Sequence, residues 1–342
     1  MSYIVGFGEI MLRLSSIDNE RLFQSQNLNA TFGGAEANVC VLASILGFKS
    51  RYVTSLPDNS LGKKVEELLL SYRVDTSKIS WKGKRLGIYF VDKGNNYRVS
   101  NIIYDREYSS ISNALIGDFD WDKIFNDVSI FHISGITPAI SKNALNITLY
   151  AIQEAKKRNA KVSVDINYRK KLWNYGENVE MVMPEIVRYS DILFANEYDA
   201  IKILGVKSNL DINSNINNNE EEYKNIMQQL IDKYSLDIIL TTRRESINSN
   251  YNNIYAILYS NNNLYKSKKY RIENIIDRIG TGDSFAAGIL CGMQLFEDYQ
   301  DILEFATASF CIKHSIPGDF NLTTKEEIID LMKSSENLDI KR

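Results

Sequence analysis

The sequence predicts an α/β fold: a parallel sheet covered by helices on both faces, with a small β appendage over one edge. Two observations carry this expectation. From about residue 128 onward, short and mostly apolar strands alternate with helical segments, the pattern of a parallel sheet buried on both sides. Residues 80–107 interrupt that alternation with two β-rich runs separated by KGNN, which reads as a hairpin.

The elements follow in order. YIVGFGEIMLRLS reads as a short apolar strand broken by Gly6 and Gly8, then a second strand-like piece. EANVCVLASILG (36–47) has helical spacing and stops at Gly47. SRYVTSL reads as a strand. LGKKVEELLLSYRV reads as an amphipathic helix, with Val65, Leu68 and Leu69 on one side and Lys63, Lys64 and Glu67 on another. The alternating series then runs VSIFHISG, NALNITLYAIQEAKKRN, KVSVDIN, VEMVMPEIVRYS and DILFANE. Residues 207–222 are polar and of low complexity, and read as a surface loop leading into a helix. DRIGTGDSFAAGIL (277–290) is a glycine-rich turn feeding a helix read from Ser284 to Leu290, with Asp283 at the junction.

Composition narrows the function. With 342 residues and a net charge of −3, the chain can bury a sizeable core and lacks the basic excess of a nucleic-acid binder. It contains no apolar run of the ~20 residues that a membrane span needs, and MSYIVGFGEI does not look like a signal peptide. Three scattered cysteines and two histidines argue against a disulfide framework or a zinc site. The expectation is a soluble cytoplasmic protein.

The turn at 280–283 carries the chemistry. A helix N-terminus presents unpaired N–H groups and partial positive charge, a natural seat for phosphate. Glycines let the backbone approach an anion closely, whereas an aspartate there repels one unless it has work to do. In phosphoryl transfer that work is accepting the proton of the attacking hydroxyl. The alternative is a plain helix cap made by Asp283 or Thr281. No GxxxxGK[ST] loop is present, and GFGEIM lacks the third glycine of a dinucleotide fingerprint.

Four stretches, GEIMLRLS (8–15), FGGAEANV (32–39), ANEYDA (195–200) and DRIGTGDSFAAG (277–288), resemble the ribokinase-like (PfkB) carbohydrate kinase family over almost the whole chain. RLGIYF, IIYDREYSS, DINYRKKLW and KHSIPGDF are similar to the branch of that family acting on 2-keto-3-deoxygluconate. The resemblance implies a single domain over 1–342, a ribokinase-like three-layer α/β/α sandwich with a β-sheet lid drawn from about 11–32 and 80–107. It implies transfer of the ATP γ-phosphoryl group to the 6-hydroxyl of 2-dehydro-3-deoxy-D-gluconate, with Mg²⁺ bridging the ATP phosphates. Asp283 would be the base, and the Gly280, Thr281 and Gly282 turn the anion cradle.

The same resemblance places Gly33, Gly34 and Asn38 in the sugar pocket. Tyr89 and Tyr104 of the hairpin would meet the carbon chain, although tyrosines also simply pack across strands. Arg106 is the candidate for the substrate carboxylate, because its planar fork suits that group. Asn167 is assigned to the nucleotide side, and Arg169 to the phosphate or the keto acid. In ANEYDA, Asn196 keeps the place it has in the family's N-x-x-E element and Asp199 stands where glutamate is usual; both would organise Mg²⁺ through water, with Glu197 as a substitute. LTTRRESINSNYNN (240–253) departs from the family's glycine-rich turn, leaving Thr242, Arg244 and Ser246 as nucleotide candidates. His314 reads as a packed histidine, and Asp319 as a contact to sugar hydroxyls or a turn residue. The lid offers a surface for a homodimer. The rival functions are a kinase of a neutral sugar, such as fructose or ribose, and a sugar-binding regulator without turnover.

Overall fold

The computed structural model describes residues 2–208, 220–246 and 251–334, except the Ser246 side chain. Most of the 207–222 loop and the tip of 240–253 therefore lie outside the described residues. The main sheet runs in the order β14-β13-β12-β11-β10-β9-β1-β4, with β15 also on β13. Its strands are β1 (Tyr3–Phe7), β4 (Ser50–Val53), β9 (Val128–Ser134), β10 (Lys161–Asp165), β11 (Ile192–Phe194), β12 (Ile238–Ser246), β13 (Asn252–Ser260), β14 (Asn263–Lys266) and β15 (Tyr270–Ile272). Pairing is parallel from β4 through β12. The edge beyond β12 is antiparallel, which the sequence reading did not foresee. The link from β12 to β13 is too short for a crossover, so only a hairpin can form there.

The strands bury both faces. Val5, Phe131, Leu193 and Ile239 enter one core, with Leu145 and Ile152 of α3 (Lys142–Lys157), Met183 of α4 (Val179–Val187) and Ile226 of α5 (Glu220–Tyr234). Their strand neighbours Ile4, Ile130, Ile192 and Ile238 enter a second core. There they meet Leu42 of α1 (Ala35–Ile45), Phe285 of α6 (Thr281–Leu295), Phe305 of α7 (Tyr299–Lys313) and Ile328 of α8 (Lys325–Lys333). Two cores separated by one sheet make the three layers, and each fully buried Leu, Ile or Phe contributes about 1.5–3 kcal/mol. α2 (Ser60–Ser71) buries Val65 and Leu69, as expected, in a smaller core with Tyr52 and Leu56.

Gly6 does not break β1. It lies inside the strand, and a Cβ there would stand 2.7 Å from Cys40 Sγ and 2.9 Å from the Glu36 carbonyl. Glycine is needed because α1 crosses the strand closely. Gly47 ends α1 as read, with φ +92°.

The lid is a separate sheet of β3 (Asn29–Gly33), β2 (Met11–Ser15), β7 (Ile88–Asp92) and β8 (Asn101–Asp105), in that spatial order. β7 and β8 are the expected hairpin, Tyr89 facing Tyr104. Residues 80–81 belong elsewhere: β6 (Ser80–Trp81) pairs with β5 (Ser55–Leu56) beside the main sheet.

Candidate active site

The strand order turns back at β1, which has β4 on one side and β9 on the other. Ligands in open α/β sheets collect beyond the carboxyl ends of strands at such a switch point. A cavity of about 620 Å³ lies there, between the strand ends and the lid. A second of about 270 Å³ adjoins it, the two sharing Asp165, Asn167, Arg169, Thr242 and Gly282.

The turn and helix are built as one unit. Gly280 adopts φ +80°, and a Cβ on it would stand 2.0 Å from the Asp319 carbonyl oxygen. Only glycine fits, for backbone and for space. α6 begins at Thr281, three residues earlier than the sequence reading, because Gly280 forms the turn alone and Gly282 enters the first helical turn. The Ser284 N–H is bonded to the Gly280 carbonyl at 2.9 Å. The preceding N–H groups of Gly282 and Asp283 thus have no acceptor within the helix. A Cβ on Gly282 would meet nothing within 4 Å, so protein packing does not require this glycine, and it leaves the cavity open in front of those amides.

Asp283 lines the larger cavity, half-buried, and its Oδ2 accepts a 2.6 Å hydrogen bond from Asn38 Nδ2. Asn38 in turn accepts from the Gly34 N–H through Oδ1 at 3.3 Å. This joins FGGAEAN to GTGD, 245 residues away in sequence. Desolvation in the cavity wall pushes the Asp283 carboxyl up to about 7, against the Asn38 bond and with help from Asp165, Asp319 and Glu36. Asp165, at the end of β10, is also pushed up to about 7 by desolvation, opposed by Arg169. The Asp283 carboxyl faces the cavity, within the field of Asp165, Asp319 and Glu36.

The structure brings most of the expected residues to this cavity: Gly33, Gly34, Asn38, Tyr89, Tyr104, Asn167, Arg169, Thr242, Arg244, Asp319 and the 280–283 turn all line it. Asn196 and Asp199 line the smaller one. They exchange bonds, Asn196 N–H to Asp199 Oδ2 and Asp199 N–H to Asn196 Oδ1, each 3.0 Å. Burial pushes Asp199 up to about 6, opposed by the Asn196 N–H and Arg169. Arg244 is pulled down to about 10 by desolvation and by Arg278, so two cations share one wall.

Three of the expected residues are already engaged by the protein. Arg106 does not line the cavity; it is buried against Glu9, with Nε to Oε2 at 2.7 Å. A fork already closed on a carboxylate is not presented to another; the arginines that line the cavity are Arg169, Arg244 and Arg278, with Arg169 exposed on its wall. Asp319 is buried, with Oδ1 accepting from Arg13 at 2.8 Å and Oδ2 from the Tyr89 hydroxyl at 2.6 Å. Both groups are therefore occupied by the protein rather than held open for hydroxyls. Glu197 is paired with Arg243 and does not line the second cavity. Ser246 lies on β12, but its side chain is outside the described residues. His314 is packed as expected, Nδ1 against the Phe310 carbonyl at 2.9 Å. Sequence reasoning missed Arg13, Asp277 and Arg278. In MLRLS the alternation suggests a buried Leu12/Leu14 face, yet Met11, Arg13 and Ser15 are the buried side.

Comparison with known proteins agrees with this geometry. The model of the pfkB family carbohydrate kinases matches residues 1–323. A crystal structure of 2-dehydro-3-deoxygluconokinase from Thermotoga maritima is 40% identical, with a TM-score of 0.91 over 97% of this chain and 98% of that one. The 2-dehydro-3-deoxygalactonokinase of Haloferax volcanii is 27% identical over 97% of both chains. At 19% identity, where the likeness shows the fold alone, a putative ribokinase II from E. coli in complex with ATP and Mg²⁺ gives a TM-score of 0.78 over 97% of this chain and 99% of that one. The matched span includes the lid sheet, Gly33 and Gly34 and the GTGD turn, and the chain is a carbohydrate kinase belonging to the pfkB family.

Proposed function

We propose that this kinase transfers the γ-phosphoryl group of ATP to the 6-hydroxyl of 2-dehydro-3-deoxy-D-gluconate. The observation that carries the reading is Asp283, aimed into the cavity beside the open amides of Gly282 and Asp283. Asp283, held by Asn38, accepts the hydroxyl proton. The freed oxygen forms its bond to the γ-phosphorus as the bond to the β-phosphate oxygen breaks. The 280–283 amides receive the charge that develops on the transferring group. Arg244 and Thr242 face the nucleotide side, with Asn167. Asn196 and Asp199 would hold Mg²⁺ through water, in keeping with an ion that prefers few carboxylates and retains several waters; when bound, it supplies charge neutralisation for the phosphates. The acid end of the sugar goes to Arg169, which lines the same cavity as Tyr104. Among the described residues no further strand pairs with either edge of the lid sheet, and Ile103 on β8 with Phe23 and Tyr97 in the lid loops is exposed; a second lid is the fitting partner, giving a homodimer.

One observation favours the neutral-sugar reading: Arg106 is neutralised by Glu9. A coupled ADP-release assay over 2-dehydro-3-deoxy-D-gluconate, its galactonate epimer, fructose and ribose separates the readings. The expected result is highest kcat/KM for a keto acid; a preference for fructose or ribose contradicts it.

A further inference from the structure

Arg13 is among the largest fully buried side chains and lies on the lid strand β2. It reaches across to the core, with one guanidinium nitrogen 2.6 Å from Asp277 Oδ2 and the other 2.8 Å from Asp319 Oδ1. A second lid strand joins the same group through the Tyr89 hydroxyl on Asp319. Both aspartates hold the turn. Asp277 accepts the Ile279 N–H at 3.1 Å and the Gly318 N–H at 3.1 Å, and the Asp319 carbonyl is the atom Gly280 packs against. Lys313, also buried, balances the second carboxylate charge nearby, its Nζ bonded to the Ile316 carbonyl.

Stability alone does not account for this arrangement. A buried ion pair commonly contributes no more than apolar side chains of the same volume, and among the described residues Arg13 Nε is buried without a hydrogen-bond partner. The fork does achieve geometry: two carboxylates on either side of the catalytic turn are fixed to one rigid plane carried by the lid.

We propose that Arg13 is a positioning residue that ties the lid sheet to the 277–283 turn through Asp277 and Asp319, setting the height of the turn's amides against a sugar held under the lid. The proposal rests on the kinase reading of Asp283 and the turn, but needs no choice of sugar.

The test is Arg13→Lys in the full-length enzyme, assayed with whichever of 2-dehydro-3-deoxy-D-gluconate or fructose the parent phosphorylates. An ammonium keeps the charge and cannot span both carboxylates. The expected result is kcat lowered about ten-fold or more with KM for ATP within about two-fold, the mark of an interaction realised in the transition state. Amide exchange should quicken at 278–283 and stay at parent rates in α3. A folded variant with kcat within about two-fold of the parent and unchanged exchange in the turn overturns the proposal. Should Arg13→Lys show no cooperative melt, Asp277→Asn is judged by the same two criteria. Asp283→Asn is run in parallel. If it turns over normally, the base assignment fails by itself, while turn exchange in Arg13→Lys still decides the positioning role.

Discussion

At the scale of single residues, the carboxyl of Asp283 links reactivity to stability. Its value of about 7 is set first by desolvation, so the free enzyme must lose that proton to act as a base. The kcat/KM profile should rise with pH through about 7 and level off above it. Removing the neighbouring charge with Asp165→Asn should move that rise to lower pH, since Asp165 is one of the groups raising Asp283. Stability should respond in the opposite sense. A carboxyl whose folded pKa lies above its unfolded value of about 3.9 favours the fold fully below that value and loses the contribution as pH rises through about 7. Asp283→Asn should therefore melt higher than the parent at pH 8 and close to it at pH 4, measured by thermal denaturation. Arg169→Ala makes a separate prediction: KM for the keto acid rises by about ten-fold or more, as expected for loss of a charge-assisted contact, while turnover of any neutral sugar is unaffected.

At the scale of elements, the two glycines of the turn should part company. Gly280→Ala must place a methyl group 2.0 Å from the Asp319 carbonyl at φ +80°, and should destabilise by about 1–3 kcal/mol or more. Gly282→Ala meets no protein atom and replaces a poor helix former in the first turn of α6, so it should gain up to about 1 kcal/mol. Its methyl group nevertheless occupies the cavity before the amides, and kcat/KM should fall. Urea denaturation with parallel kinetics checks both; a Gly282→Ala enzyme of full activity would show that no reactant uses that space. The contrast also shows where sequence was readable. Periodicity identified α1, α2, the β7–β8 hairpin and the β-α alternation, because apolar spacing reports burial directly. It could not separate Gly280 from Gly282, whose difference depends on Asp319, a residue about forty positions away that only folding brings near. Arg13 escapes a sequence reading, and Arg106 is assigned to the substrate by one, for the same reason. A charge in a strand says nothing of its partner, and both partners, Asp277 with Asp319 and Glu9, come from other elements.

At the scale of the whole molecule, the proposed function gives the lid two tasks: closing over the cavity and meeting a second lid. Tyr97 is 89% and Ile103 49% exposed on it, and neither lines the cavity. Sedimentation should give a dimer, and Ile103→Lys, placed on the edge strand β8, should give a monomer; a monomeric parent would remove the lid interface. Closure over the 620 Å³ cavity should exclude water and suppress ATP hydrolysis without sugar.

The base assignment is tested most directly by comparing Asp283→Asn with the parent, measuring sugar affinity by calorimetry and phosphoryl transfer to 2-dehydro-3-deoxy-D-gluconate by ADP release. Affinity should stay within a few-fold of the parent while transfer slows by about 10²–10⁴. Transfer at close to the parent rate would contradict it.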